Sequence, residues 1–225
     1  MTAPRSADEL DDRDDAPVSP EQLVESGVGL RASGCGLTNS LGSGVAVAQP
    51  GLVVTVAHTV AGSEKVTVID ATGAEHRATV IAFDPGADLA ALDVPTLASP
   101  ALSIGRVATG AVTTLRWRPD DGVTHAEATI TRRLGITIED IFVEREVRRT
   151  GMELDADIVV GDSGGPVIDT AGNVVGIVYA NSKSRANTGF ATDDEELRKL
   201  LAAIDLSTVG LKPASAERVD TGRCI

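Results

Sequence analysis

The stretch Gly161-Asp162-Ser163-Gly164-Gly165-Pro166 decides how the rest of this sequence is interpreted. It lies between two apolar runs, residues 158–160 and 167–168, that are typical of strands on either side of a sharp turn. Most Gly-rich stretches of this kind simply join two strands. A serine between glycines can also present a nucleophilic hydroxyl beside free backbone N–H groups. The residues upstream of the turn decide between these two readings.

The composition indicates a soluble chain with an aliphatic core. The chain has 225 residues, of which 42% are hydrophobic and 2% aromatic, so the core must consist mainly of Val, Ile, Leu and Ala. This length fits one large domain or two small barrels that share a core region. A net charge of −13 argues against nucleic acid or an anionic membrane as a partner. Residues 1–27 carry eight acids and two arginines, and we expect this leader to be disordered.

Targeting signals and cysteines give further expectations. The sequence shows no signal peptide and no apolar run near the roughly 20 residues of a membrane helix. We therefore expect a cytoplasmic location by default; an extracytoplasmic location is the alternative, for which a cysteine pair and a targeting segment outside this sequence would speak. Cys35 and Cys224 lack metal-type spacing and could form one long-range disulfide or remain two free thiols. We expect no metal and no cofactor.

Short runs rich in Val, Ile and Thr, separated by Gly, Pro, Asn and Asp, predict an all-β sandwich or barrel. One helix is predicted at residues 193–204, where acids precede bases along the dipole. Residues 95–100 are predicted to link two halves, and the tail after residue 206 to be irregular unless Cys224 pins it. The predicted strands are residues 29–31, 44–48, 52–56, 65–69, 77–83, 89–94, 111–117, 125–131, 140–147, 166–168, 174–179 and 188–191.

Two residues upstream of the serine could complete a catalytic group. His58 directly follows an apolar strand pattern, which can hold its imidazole at the edge of a barrel. A lone histidine is usually structural, and we assign that role to His76 and His125. Asp88 opens an apolar run, the placement expected of a carboxylate that points into a semi-buried cleft, whereas Asp84 precedes a proline and is expected to organise a turn.

Three motifs in this order resemble the trypsin-like serine proteases, and most of all the bacterial HtrA/Deg-type protease domain. They are Val54-Thr55-Val56-Ala57-His58, Asp84-Pro85-Gly86-Ala87-Asp88 and the serine turn, and Gly42-Ser43-Gly44-Val45 also resembles that group. The resemblance covers about residues 34–201. The tail after the helix is too short for a PDZ module, so we expect none in this sequence.

The resemblance implies a chymotrypsin-like fold of two six-stranded antiparallel Greek-key β-barrels with a C-terminal helix. The protease domain would then cover residues 28–205, after the leader at 1–27 and before the tail at 206–225. Barrel one would span about residues 28–105, barrel two about 106–192, and the helix 193–204. The active site would lie in the cleft between the barrels.

The resemblance also implies a serine endopeptidase acting on proteins or peptides through an acyl-enzyme. Ser163 would attack the carbonyl, His58 would transfer protons, and Asp88 would orient His58. The N–H groups of Gly161 and Ser163 would form the oxyanion hole. The alternative is a protease-fold binding or scaffold protein that no longer cleaves.

The match leaves two questions open. HtrA/Deg-type enzymes usually have asparagine at the position of Asp162, whereas digestive-type proteases have aspartate, paired with a new N-terminus. A semi-buried Asp162 needs another cation, and we expect Arg132 or Arg133.

Asp157 could be the acid that binds basic substrate side chains, or simply a surface acid. Tyr179 and Gly189 resemble walls of the substrate pocket.

Overall fold

The computed structural model describes residues 20–36, 39–211 and 217–225. Within these ranges the chain is mostly β-structure, with three α-helices and one 3-10 turn at Leu206–Thr208. The helices are α1 (Pro20–Ser26), α2 (Ala57–Val60) and α3 (Asp194–Ala202). The strands are β1 (Gly27–Ser33), β2 (Ser40–Ala46), β3 (Leu52–Thr55), β4 (Lys65–Ile69), β5 (Glu75–Asp84), β6 (Leu89–Asp93), β7 (Gly110–Arg118), β8 (Gly122–Glu139), β9 (Glu146–Asp155), β10 (Pro166–Ile168), β11 (Val174–Asn181) and β12 (Thr188–Asp193).

The strands form two closed antiparallel barrels. The first has the order β1-β2-β3-β6-β5-β4, and β4 closes it by pairing with β1, where Gly29 lies opposite Ile69. The second has the order β10-β11-β12-β9-β8-β7, and β7 closes it by pairing with β10, where Thr114 lies opposite Val167. The prediction of two six-stranded barrels with a C-terminal helix is confirmed.

Aliphatic packing joins the barrels. One buried cluster contains Val54 and Leu89 from barrel one, Leu115 and Ile177 from barrel two, and Leu197 from α3. Each barrel also has its own cluster of branched aliphatic side chains. Burial of this apolar area supplies the main driving force for folding, at about 25 cal/mol per Å². The face shared by the barrels is therefore rigid, and it supports the residues at the junction.

Helix α3 is fixed to barrel two by a polar network around Asp193, the residue that caps its N-terminus. The carboxylate of Asp193 caps the helix by accepting the N–H of Glu195 at 3.1 Å. The same carboxylate accepts the Thr150 hydroxyl at 2.7 Å, and Arg133 pairs with it from β8. This contact raises the pKa of Arg133, chiefly through the hydrogen bond to Asp193.

Two local predictions are wrong. The apolar letters of residues 140–147 suggest a strand, but Asp140 accepts the N–H groups of Phe142 and Glu144 and folds residues 140–145 into a turn. The strand β9 begins only at Glu146 and continues to Asp155, beyond the predicted range. The end of the predicted disordered leader also differs, because residues 20–26 form α1, whose Leu23 packs against the core shared by the barrels. Residues 1–19 lie outside the described residues.

The C-terminal residues are pinned, although they form no helix or strand over the described range 217–225. Val219 donates its N–H to Val80 O at 2.9 Å, and Gly62 donates to Thr221 O at 3.1 Å. Cys224 forms a disulfide with Cys35, so the bridged alternative is the one observed. Closing a loop of 189 residues contributes roughly 4–5 kcal/mol in the chain-entropy model.

Candidate active site

His58 lies on α2, the single helical turn that follows β3. Its neighbours Ala57, Thr59 and Val60 are buried, whereas the His58 side chain is 32% exposed. The buried residues anchor the turn in barrel one, and the imidazole reaches the surface at the junction of the barrels. A short turn held on both sides in this way gives the ring a fixed orientation.

Asp88 holds His58 with both carboxylate oxygens. Oδ1 accepts the backbone N–H of His58 at 2.9 Å, and Oδ2 lies 2.8 Å from Nδ1. Because a carboxylate only accepts, Nδ1 carries the proton, and Nε2 of the neutral ring keeps its lone pair. Asp88 is 5% exposed and has a φ of +56°, a conformation that a non-glycine residue keeps only when its surroundings enforce it.

The loop before Asp88 supplies part of that enforcement. Asp84 Oδ1 accepts the N–H groups of Gly86 and Ala87, both at 2.9 Å, which is the turn expected from the sequence. Ile141, in the turn between β8 and β9, donates to Pro85 O at 3.1 Å. The loop is therefore held from within and from barrel two.

The turn that carries Ser163 has the geometry needed for an anion site. Gly161 has a φ of +95°, and Asp162 N–H bonds to Val159 O at 3.1 Å, which together describe a type II turn with glycine at its third position. Among the described residues, the N–H groups of Gly161 and Ser163 have no protein acceptor. Both are thus available to a ligand.

Asp162 is buried, with 3% exposure, and its cation comes from β7. Arg118 makes a short ion pair with Oδ1, and Arg116 lies 4.0 Å from Oδ2. Val159 donates its N–H to Oδ2 at 2.9 Å. The expectation of Arg132 or Arg133 is therefore wrong.

The two arginines expected at Asp162 have other partners. Arg132 lies 2.9 Å from Glu153, and Arg133 pairs with Asp193. Glu153 also pairs with Arg185 at 2.6 Å. Hydrogen bonds from Arg185 and then Arg132 lower the pKa of Glu153 to about 2. Both arginines of β8 therefore already have acidic partners other than Asp162.

Ser43, on β2, fixes both ends of the serine turn, a role that the sequence analysis missed. Its backbone N–H donates to Ser163 O at 2.8 Å, and its hydroxyl donates to Gly161 O at 2.9 Å. The same hydroxyl accepts the N–H of Trp117 at 2.9 Å. Ser43 is 1% exposed, so these bonds form in a dry environment. The only sign of this role in the sequence was that the Gly42-Ser43-Gly44-Val45 stretch resembles the HtrA/Deg-type protease domain.

Gly42 shows how closely the two halves of the site approach each other. A Cβ built at this position would lie 3.0 Å from the Thr59 hydroxyl and 3.1 Å from Ser163 O. Thr59, the residue after His58, and the serine turn therefore both pack against Gly42. The described contacts include no hydrogen bond between the Ser163 hydroxyl and His58. Such bonds are often long in unliganded enzymes and tighten when substrate binds.

Asp157 and Gly189 belong to neighbouring segments but border different spaces. Asp157 is exposed and lines a surface cavity of about 540 Å³ with Asp155 and Asp169, a cavity that neither Ser163 nor Gly189 lines. A Cβ on Gly189 would lie 2.5 Å from Ile158 Cγ1, so the isoleucine occupies the space beside the glycine. This placement favours the alternative that Asp157 is a surface acid.

Tyr179 is half-buried and borders the junction of the barrels. Its ring stacks on Phe190 at a centroid distance of 6.5 Å, and the Arg149 guanidinium lies 4.3 Å from its centroid. Tyr179 follows Val178, whose carbonyl accepts the N–H of Gly164 at 2.8 Å. The tyrosine is therefore close to the serine turn along β11.

The described residues offer neither a metal site nor a helix that could cross a membrane. They contain no group of three or more His, Cys, Asp or Glu side chains that could hold a metal ion. None of their helices is long and apolar enough to span a membrane. His76, by contrast, has a clear structural role, because its ring nitrogens contact Asp70 and Thr96.

Comparisons with known proteins identify the family of this chain. Residues 42–177 match the family model for the trypsin-like peptidase domain. The chain is 36% identical over 183 residues to serine protease Rv3671c of Mycobacterium tuberculosis, covering 80% of this chain and 44% of that protein. It is 32% identical over 173 residues to the mitochondrial serine protease HTRA2 of Bos taurus, covering 72% of this chain and 36% of HTRA2. The chain thus spans less than half the length of these relatives.

Solved structures give the same result. The fold superposes on the Rv3671c protease of M. tuberculosis in its active form with a TM-score of 0.80 and 31% identity, covering 93% of each chain. For the inactive form of that protease the TM-score is 0.70 with 32% identity, over 84% of this chain and 98% of the other. The HtrA-type protease AlgW with a tripeptide gives 0.69 with 26% identity, over 85% and 65%. The chain therefore belongs to the trypsin-like peptidase family.

Proposed function

We propose that this chain is a serine endopeptidase that cleaves peptide bonds in proteins through an acyl-enzyme. The observation that carries the proposal is the double hydrogen bond between Asp88 and His58. This bond fixes the imidazole tautomer whose Nε2 can accept a proton, beside a serine turn with two unused N–H groups. A binding protein without activity has no physical need for this combination.

In the proposed reaction, Ser163 Oγ attacks the substrate carbonyl while His58 Nε2 takes the hydroxyl proton. His58 then gives this proton to the leaving amine, so the peptide bond breaks and an ester to Ser163 remains. Water, deprotonated by His58, cleaves that ester and regenerates the serine. Asp88 stays ionised and stabilises the imidazolium formed in each step.

The N–H groups of Gly161 and Ser163 would stabilise the oxyanion of each tetrahedral intermediate. A donor of this kind typically contributes about 3 kcal/mol to transition-state stabilisation. Both groups already lack protein acceptors, so no bond has to break before they act.

We also propose that small apolar P1 side chains are preferred over Lys or Arg. Ile158 occupies the space beside Gly189, which leaves little room there for a long basic side chain. Asp157, the acid that could have paired with a basic side chain, is exposed in a different cavity. The Cys35–Cys224 bridge supports an oxidising compartment as the place where the enzyme works.

The first test is active-site labelling with a fluorophosphonate probe. Wild-type protein is expected to gain one probe on Ser163, and the Ser163→Ala variant none. Asp88→Asn, which keeps the shape of the side chain but not its charge, is expected to lower kcat by about 10⁴. Wild-type protein that remains unlabelled, or a Ser163→Ala variant that still labels, would remove the basis of the proposal.

The second test concerns the cation at Asp162. Arg118→Met leaves a buried carboxylate with only the more distant Arg116, which is expected to destabilise the native turn by about 3 kcal/mol. The fraction of protein that the fluorophosphonate labels should therefore fall, because fewer molecules have the serine turn in its native form. Arg116→Met is the matched control from the same strand and should change that fraction much less. Equal effects of the two substitutions would show that Arg118 has no special role.

The third test compares fluorogenic peptides that differ only at P1. Peptides with Val or Ala are expected to have kcat/KM values at least about 10-fold above those with Lys or Arg, because Ile158 packs beside Gly189 and Asp157 lines a different cavity. Asp157→Ala should leave this ratio unchanged. A preference for Arg that disappears in Asp157→Ala would instead assign substrate binding to Asp157.

A further inference from the structure

Arg149, on β9, is a buried cation with an unusual environment. It is 6% exposed, and its Nε has no hydrogen-bond partner. Its Nη1 donates to Gly86 O at 3.2 Å, and the guanidinium lies over the Tyr179 ring. Within the described part of the chain, no carboxylate is in ion-pair range of this guanidinium, unlike those of Arg118, Arg132 and Arg133.

An unpaired buried guanidinium costs stability. Removing a charge from water carries a penalty of several kcal/mol, and one carbonyl with one aromatic face compensates it only in part. An apolar side chain of similar length would fill the same space without that penalty. A buried charge that destabilises the fold in this way is expected where function requires it.

The two contacts of Arg149 link the two halves of the site. Gly86 lies two residues before Asp88, in the loop that sets the positive φ of that aspartate. Tyr179 follows Val178, the residue that holds Gly164 next to the nucleophile. Arg149 therefore lies between the loop of the aspartate and the strand beside the serine, where a planar cation can contact both.

We infer that Arg149 is a positioning residue that fixes the Asp88 loop against β11 and so aligns Asp88 and His58 with Ser163. The planar guanidinium suits this role because it stacks on an aromatic ring and donates in its own plane at the same time. The inference rests on the proposed function, since it concerns the geometry of that reaction. Arg149 touches neither substrate nor the reacting atoms.

The test uses Arg149→Met, with Arg148→Met as the control. Arg148 is the neighbouring residue on β9, is exposed, and loses the same charge when replaced. Arg149→Met is expected to lower kcat for a short peptide substrate by about 10- to 100-fold, the effect of a misplacement near 1 Å. KM should stay within about twofold, because substrate contacts are unchanged. The melting temperature should be equal to or above that of the wild type, because a buried charge has been removed.

A spectroscopic measurement separates positioning from general damage. The downfield ¹H NMR resonance of the His58 Nδ1 proton reports its hydrogen bond to Asp88, and it should shift or vanish in Arg149→Met but not in Arg148→Met. If Arg149→Met does not fold, Arg149→Lys provides the same comparison at constant charge, with a kcat loss of about 10-fold expected.

The outcomes of the two proposals are distinguishable. Wild-type protein that fails to label with the fluorophosphonate contradicts the proposed function itself. An active wild type whose Arg149 variant retains kcat, or loses kcat with the Nδ1 resonance unchanged, overturns only the positioning role. Loss of kcat with a displaced resonance, in a variant that melts no lower than wild type, supports it.

Discussion

The buried carboxylate of Asp162 is the constraint on which the site depends. The turn that aims the N–H groups of Gly161 and Ser163 outward directs the side chain between them inward, where it is 3% exposed. A desolvated carboxylate without a cation costs several kcal/mol, more than the roughly 1 kcal/mol of a typical hydrogen bond. The cation therefore decides which form of the turn is stable. Arg118 supplies that charge from a strand of the same barrel, so the turn needs no charge from a newly cut N-terminus.

The strand that carries Arg118 also takes part in the contact between the barrels. Trp117, the neighbour of Arg118 on β7, donates to the hydroxyl of Ser43, and that hydroxyl donates to Gly161 O. A side chain at Gly164 would collide with Ser43 O, which shows how tightly the turn lies against barrel one. Buried polar networks of this kind stabilise one arrangement only when every member is satisfied. The serine turn therefore depends on both barrels, although it lies in the second.

The sequence predicts those parts of the site that depend on local motifs. His58, Asp88 and Ser163 each sit in a short pattern with its own physical meaning, and the aliphatic strand pattern predicts the barrels. The partner of Asp162 follows no local rule, because Arg118 lies 44 residues away and many arginines could have taken its place.

The predictions that the structure contradicts failed because they depend on strand register, on side-chain hydrogen bonds or on contacts between distant residues. Arg132 and Arg133 were plausible partners until the register of β8 and β9 placed them beside other acids. The turn at Asp140 was missed because hydrogen bonds from one side chain outweigh the strand preference of an apolar run. Ser43 acts through contacts with residues more than 70 positions away, which no sequence pattern contains.

The most direct test of this account is a crystal structure of the chain with a phosphonate bonded to Ser163. The account predicts a phosphonyl oxygen at about 3 Å from the nitrogens of both Gly161 and Ser163. It also predicts that Asp162 remains paired with Arg118, as in the free protein, because the turn is already in its working shape. An oxygen bound elsewhere, or a turn in which Asp162 has moved to a different cation, would contradict a site organised in advance by this ion pair.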